Sequence, residues 1–137
     1  NVQVPERNYE RAAELFATAL EHTGGLPTPL RQAAGELGEN LGAQEHARSS
    51  TRRLMDALKD GGYEPQVDES GAIRLLNCPF HALVEEHRPL VCGTNMALAE
   101  GITRGAGVTD MVPVLDSQPG YCCVSFRPAH ESDARSA

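Results

Sequence analysis

The sequence predicts an α+β domain in which helices accompany an antiparallel sheet of about four strands. Apolar residues recur with helical spacing over roughly the first 60 positions, and the period then shortens to two before helical spacing returns. The predicted order is three helices, a hairpin, two helices between the hairpins and a second hairpin, which differs from strict βαβ alternation. The 137 residues suit one domain with its own hydrophobic core.

The three N-terminal helices are predicted from apolar stripes with a 3.6-residue period. The first helix covers 5–23, and four residues form the stripe expected to face the core: Tyr9, Ala13, Phe16 and Leu20. The second helix follows a proline-containing connector, and the third covers about 46–60. Three glycines recur within the second helix: Gly35, Gly38 and Gly42. They either permit close packing against another helix or only weaken this one, because glycine is a poor helix former.

The second half of the chain combines strands with two further helices. Four short stretches have strand-like alternation: 63–68, 72–76, 111–116 and 121–127. A short helix over 79–87 has proline at its first position, where the missing N–H costs nothing. A longer helix over about 89–105 is apolar on most sides, which is typical of a central, buried helix. Residues 128–137 are expected to form a disordered tail after a domain that spans 1–127.

The composition excludes direct binding to nucleic acid through global charge. Acidic residues outnumber basic ones by 19 to 12, and the formal net charge is −7. Contact with a phosphate backbone needs clustered Lys and Arg. The basic cluster of Arg48, Arg52 and Arg53 is more typical of a solvated helix face. Because no signal peptide or membrane-spanning apolar run is visible, a cytoplasmic protein without membrane association is expected.

Cysteine and histidine residues of the second half form a candidate metal site. Cys78 lies at the predicted start of a helix, where the helix dipole favours the thiolate that binds metals. His81 follows one turn later and can reach the same side. Cys92 opens the next helix, and Cys122 or Cys123 supplies a ligand from the last strand. Two or three thiolates with an imidazole can bind zinc or an iron–sulfur cluster.

Other interpretations of the cysteines stay open. Buried cysteines with a structural role fit the spacing almost as well, because a free cysteine packs as a small apolar residue. A disulfide framework is disfavoured because no signal peptide is visible. Strand alternation places Cys122 on the core face with Val124 and Phe126, so that Cys123 points away. Cys123 is the alternate ligand because a bulge would exchange the two, and His87 is a weaker candidate than His81.

The cysteine-bearing segments resemble those of a known protein family. The blocks NCPFHALVEEHRPLVC at 77–92 and PGYCCVSF at 119–126 look like the C-terminal sensor domain of bacterial ArsR/DeoR-like, SufR-like winged-helix transcriptional regulators. The opening helix resembles the segment that follows the winged helix in those regulators, so the resemblance extends over most of 5–127. The fold is also similar to that of 4-vinyl-reductase-type small-molecule-binding domains.

The resemblance implies a regulatory domain and not an enzyme. In SufR-like proteins the corresponding cysteines bind an iron–sulfur cluster, which the resemblance places on Cys78, Cys92 and Cys122 or Cys123. Because His81 and the doubled cysteine lie outside that pattern, zinc is an equal alternative.

Further expectations concern the partners. A homodimer is expected, with a small-molecule effector as a further partner and DNA contact only through a winged-helix domain expected upstream and absent from this chain. One alternative is a small-molecule-binding module of the 4-vinyl-reductase type with structural cysteines. Another is an enzyme with Cys78 as nucleophile and His81 as base.

Overall fold

A computed structural model describes residues 9–22, 24–76, 78, 80–118 and 120–129, except for the side chains of residues 81 and 82. The elements are α1 (Tyr9–Glu21), α2 (Thr28–Ala43), α3 (Ser50–Asp60), β1 (Pro65–Val67), β2 (Ile73–Leu75), α4 (His81–Val84), α5 (Arg88–Gly105), β3 (Met111–Leu115) and β4 (Val124–Pro128). This order confirms the predicted α+β class. In the described ranges, no helix combines the length and apolar character needed to cross a membrane.

The strands of the described chain form one antiparallel sheet in the order β1-β2-β4-β3. Phe126 of β4 lies opposite Ile73 of β2 on one side and opposite Pro113 of β3 on the other. The two predicted hairpins are therefore joined into one sheet through β4. Just before β4, the Cys122 N–H donates to Leu75 O at 2.8 Å, so the segment ahead of β4 lies beside the end of β2.

The core lies between one face of the sheet and the helices α3 and α5. Its largest fully buried apolar side chains come from all of these elements: Leu54, Leu58, Ile73, Leu75, Ile102, Val124 and Phe126. Helix α5 is buried on several sides along its length, as its broad apolar pattern predicts. It therefore forms the centre of the domain, in contact with α2, α3, α4 and the sheet.

Helices α2 and α5 cross with their backbones in contact. Four glycines line the crossing: Gly38, Gly42, Gly101 and Gly105. A Cβ at Gly38 would lie 2.8 Å from Ile102 N, and one at Gly105 would lie 2.8 Å from Glu39 Cα, closer than real Cβ atoms come. The glycine spacing in α2 therefore serves close helix packing, which was one of the two predicted alternatives.

The predicted core stripe of the first helix is wrong. Tyr9 and Phe16 are 69% and 64% exposed, whereas Ala17 is the buried residue of α1. The apolar residues of α1 occupy a wide arc, and the rest of the domain covers only one edge of it. Helical periodicity identifies such an arc but does not determine which part of it another element covers.

Two predicted helix starts are also wrong. Helix α3 begins at Ser50 instead of near residue 46, because the Ser49 hydroxyl accepts a hydrogen bond from Arg52 N at 3.1 Å and caps the helix there. Helix α4 is only four residues long and has Phe80 at its N-cap. Cys78 therefore lies in the connection ahead of α4 and not at a helix N-terminus.

The last strand is displaced from its predicted position. Strand β4 begins at Val124 instead of residue 121, and it includes Pro128, which was assigned to the tail. Ala129 N donates to Asp110 O at 2.9 Å, so the ordered backbone continues past the predicted boundary. The remaining residues of the predicted tail, 130–137, lie outside the described residues.

Arg53 ties α3 to the end of α5. Its Nε donates to Ala106 O at 3.0 Å, and its Nη1 donates to Ala47 O at 2.8 Å. The sequence predicts a solvated basic face that includes Arg53, but a guanidinium has five N–H donors and can satisfy several carbonyl oxygens at once. Arg53 is therefore a structural residue, whereas the neighbouring Arg52 side chain is 59% exposed.

We expect Arg53→Met to lower the free energy of unfolding by about 1–3 kcal/mol, because partly buried carbonyl oxygens lose their donor. Urea unfolding measures the change. The matched control is Arg52→Met, which removes an exposed pair with Asp56 at 3.8 Å and should change stability by less than about 0.5 kcal/mol. Equal losses in the two variants would contradict the role of Arg53.

Candidate cysteine centre

The four cysteines form two neighbouring pairs in or against the core, which we together call the cysteine centre: Cys92 with Cys123, and Cys78 with Cys122. Cys78 follows β2, Cys92 lies near the N-terminal end of α5, and the other two directly precede β4. Pairing of β2 with β4 brings the first and last of these segments together. The central position of α5 places its N-terminal turns beside them.

Cys92 and Cys123 form a disulfide, with their Cα atoms 6.2 Å apart. This bond links α5 to the start of β4, and it is a pairing that the sequence disfavours. The prediction that Cys123 points away from the core is wrong, since Cys122 and Cys123 are both buried. Strand alternation does not apply to these two residues because β4 begins only at Val124.

Cys78 and Cys122 lie outside the disulfide, and we call them the thiol pair. Both line the same cleft. Asn95 Nδ2 donates to Cys78 Sγ at 3.3 Å and lies 3.8 Å from Cys122 Sγ. The Tyr63 hydroxyl donates to Asn95 Oδ1 at 2.6 Å, which fixes the orientation of the amide. The thiol pair is thus held by a buried polar network.

This network affects the protonation of its members. The hydrogen bond with Cys78, followed by burial, raises the pKa of the Cys122 thiol well above its usual range. Burial, followed by the neighbouring Cys122 and Cys78, raises the pKa of the Tyr63 hydroxyl. Cys122 and Tyr63 therefore both keep their protons at neutral pH. A thiolate at Cys122 requires a cation close by to offset the cost of burying its charge.

A cleft of about 460 Å³ opens beside the thiol pair. Cys78 and Cys122 form part of its wall, together with Arg88, Gln118 and Tyr121. Its volume is within the range of small-molecule sites in proteins. The Arg74 guanidinium lies 5.8 Å from the centre of the Tyr121 ring, a cation–π contact that supports this wall.

Sequence reasoning missed Asn95 and Tyr63, and it did not predict the contact that His87 makes with Glu21. Asn95 lies three residues after Cys92 in a helix that is apolar on most sides, and a polar residue on the same face as Cys92 is the signal that could have identified it. His87 is buried, and its Nδ1 lies 2.5 Å from Glu21 Oε1. This contact joins the end of α1 to the N-cap of α5.

The predicted metal ligands have different outcomes. Cys78, Cys92, Cys122 and Cys123 are brought together, with two of them oxidised to a disulfide. His81 begins α4, but its side chain lies outside the described residues. In the part of the chain that the structure describes, no group of three or more His, Cys, Asp or Glu is arranged to hold a metal ion. Metal binding therefore stays a prediction.

The class of this protein is described by its fold and by its cysteine centre. Comparisons of the chain with protein-family models, with curated proteins and with solved structures find no match. The class that the observations establish is an α+β domain in which a central helix and a four-stranded antiparallel sheet bring four cysteines together.

We expect Tyr63→Phe to lower the free energy of unfolding by about 1–3 kcal/mol, because the buried Asn95 Oδ1 loses its donor. Urea unfolding followed by circular dichroism measures the change. Tyr121→Phe is the matched control, since that residue is 39% exposed and a phenylalanine ring keeps the contact with Arg74. Its effect should stay within about 0.5 kcal/mol. A loss as large as that of Tyr63→Phe would argue against the buried network.

Proposed function

We propose that this chain is the sensing domain of a bacterial transcriptional regulator and that its cysteine centre, when reduced, binds zinc or an iron–sulfur cluster. The observation that supports this proposal best is the meeting of four cysteines from three separate segments. Four thiolates form a complete ligand set for structural zinc or for a cluster. His81 remains an alternate ligand in the proposal, in place of one of the cysteines.

The disulfide sets the condition for this binding. Cys92 and Cys123 become ligands only after a cellular dithiol supplies two electrons and two protons, which convert the S–S bond into two thiols. Metal binding then displaces the thiol protons, because the thiolate is the species that binds. Oxidation restores the disulfide and removes two of the ligands. The proposed centre thus responds both to metal supply and to redox state.

Asn95 supports the proposal as a residue of the outer coordination sphere. Its Nδ2 already points at Cys78 Sγ and Cys122 Sγ, and Tyr63 holds the amide in that orientation. An N–H donor directed at sulfur stabilises a thiolate, and such outer contacts set the orientation and strength of metal ligands. The buried network therefore suits a reduced, metal-bound centre as well as the disulfide form.

The proposed signal passes along α5 to α1. Cys92 lies in the first half of α5, and His87 at the N-cap of the same helix contacts Glu21 at the end of α1. A change at Cys92 that moves the start of α5 therefore reaches α1 through this pair. By the resemblance, α1 corresponds to the segment that follows a winged helix, so its position would affect DNA affinity in a homodimeric regulator.

A small-molecule-binding module of the 4-vinyl-reductase type is the second candidate, and the cleft of about 460 Å³ favours it. In that case the cysteines are structural, and an organic ligand occupies the cleft next to Tyr121. In this second case Cys78→Ser leaves the affinity for the organic ligand unchanged. If the centre binds metal instead, the same substitution lowers the affinity for zinc or a cluster. A metal titration of wild type and Cys78→Ser separates the two functions.

Metal analysis of the anaerobically reduced protein tests the proposed function. We expect one zinc ion or one cluster per chain, and Cys92→Ser should weaken zinc binding at least about tenfold, the low end of the cost of losing even an outer-sphere partner. The matched control is His46→Asn, which alters an exposed histidine between α2 and α3. Four thiols that react freely in the presence of zinc, with no metal retained, would refute the proposal.

A further inference from the structure

The thiol pair has the composition of a metal site even while the disulfide is closed. Disulfide sulfurs are not thiolates, so in this state the cysteine centre offers only the sulfurs of Cys78 and Cys122. Two sulfurs are too few for zinc, which requires four ligands. They are sufficient for a soft, closed-shell monovalent ion such as copper(I), which accepts two thiolates in a linear arrangement.

We propose that the disulfide form of this protein binds one soft monovalent metal ion, copper(I) or its analogue silver(I), between Cys78 Sγ and Cys122 Sγ. This site uses two of the four sulfurs of the cysteine centre, but it forms while the disulfide is closed and so does not require the reduced centre. The two sulfurs lie next to one common donor, since Asn95 Nδ2 is 3.3 Å from Cys78 Sγ and 3.8 Å from Cys122 Sγ, and both cysteines line the same cleft. The ion would take the place of the two thiol hydrogen atoms.

Binding at this site is an exchange of protons for metal. Two S–H bonds break, two S–metal bonds form, and two protons leave to solvent, with no electron transferred and no oxidant required. The product carries one net negative charge, from two thiolates and one monovalent cation. The Asn95 amide, 3.3 Å from Cys78 Sγ, supplies an N–H donor for that charge, and hydrogen bonds to ionised acceptors are the stronger kind.

The surroundings of the thiol pair provide both access and selectivity. Cys78 is half-buried and Cys122 is buried, and both line the cleft of about 460 Å³, through which an ion can approach. Glu85 and Arg88 also line the cleft, so the fixed charges on its wall cancel. Among the described residues of this wall there is no cluster of carboxylates to favour a hard cation, so the soft thiolate ligands select the metal.

Silver(I) is the probe of choice because it does not reduce the disulfide. We use the disulfide form, in which two thiols can be titrated, at a pH about two units below the ordinary thiol pKa. We expect it to bind one silver ion per chain and to release two protons. Its apparent affinity should rise about 100-fold per pH unit, because two protons leave for each ion bound. Bound silver should also protect Cys78 from alkylation.

The control variant removes the disulfide and keeps the thiol pair. The double variant Cys92→Ser, Cys123→Ser should bind silver as wild type does, and Cys78→Ser should lose at least about 100-fold in affinity, because a two-sulfur site cannot survive with one thiolate. Silver binding that appears only after reduction, or that is unchanged in Cys78→Ser, would overturn this inference. Neither result would affect the zinc measurement, which concerns the reduced protein.

The substitution of a proposed silver ligand avoids the buried member of the thiol pair. Cys122 is buried, and Cys122→Ser places a hydroxyl in the core, so we use the half-buried Cys78 for substitution. Alkylation protection uses the unmodified chain. Unchanged reactivity of Cys78 at saturating silver would be decisive against the thiol pair as the site.

Discussion

Gly38→Ala is expected to lower the free energy of unfolding by about 2–3 kcal/mol, although alanine is the better helix former. The added Cβ would lie 2.8 Å from Ile102 N and 3.0 Å from Gly101 Cα, and still nearer to Leu98 O. These are backbone atoms of a packed helix, which cannot rotate away as a side chain can. The two helices must therefore separate, and core contacts of α5 are lost.

Gly93→Ala is the matched control because it places the same methyl group within α5. There the nearest atom to the new Cβ is Leu26 Cδ2 at 3.5 Å, an ordinary van der Waals distance. This variant should gain about 0.5–1 kcal/mol from helix propensity. In thermal and urea unfolding, the changes in stability of Gly38→Ala and Gly93→Ala should therefore have opposite signs. A change of the same sign in both variants would contradict the close crossing of α2 and α5.

Reduction of Cys92–Cys123 is expected to have the second large effect. The bond joins residues 31 positions apart, and a loop of that length corresponds to about 3–4 kcal/mol of stabilisation in the chain-entropy treatment. Dithiothreitol should therefore lower the free energy of unfolding by that amount. The double variant Cys92→Ser, Cys123→Ser should show a similar loss and no response to the reductant.

Zinc should restore part of the stability lost on reduction, if the reduced centre binds it. A ligand that binds only the folded state at 100 times its Kd adds about 2.7 kcal/mol. The double variant lacks two of the four sulfurs and should gain much less. Equal stabilisation of both proteins by zinc would place the bound metal outside the cysteine centre.

The fold class and the order of elements were predictable because they depend on local periodicity. Helix α5 is apolar on most sides and is central, and the four strands appear near their predicted positions. The orientation of α1 was not predictable, because Tyr9 and Phe16 belong to an arc wider than the surface that covers it. The start of α3 depends on which of several polar residues caps it, and Ser49 does so.

The sequence predicted which cysteines form the candidate site, but only part of how their side chains are arranged. Sequence reasoning identified the four cysteines, because the chain contains no others. The spacing between them does not define which sulfurs meet, and the pairing of Cys92 with Cys123 depends on where β4 begins. The role of Asn95 depends on Tyr63, a residue 32 positions away, and such a contact leaves no local pattern.

The glycine crossing also restricts how this domain can change shape. Sliding α2 along α5 by one residue would bring side chains of neighbouring positions against the opposite backbone, where Gly38 and Gly105 now leave no room for a single carbon. The pair therefore has one permitted register and behaves as a rigid block. Any displacement produced at the cysteines must then be taken up by the elements outside that block, of which α1, held by Glu21 and His87, is the least embedded.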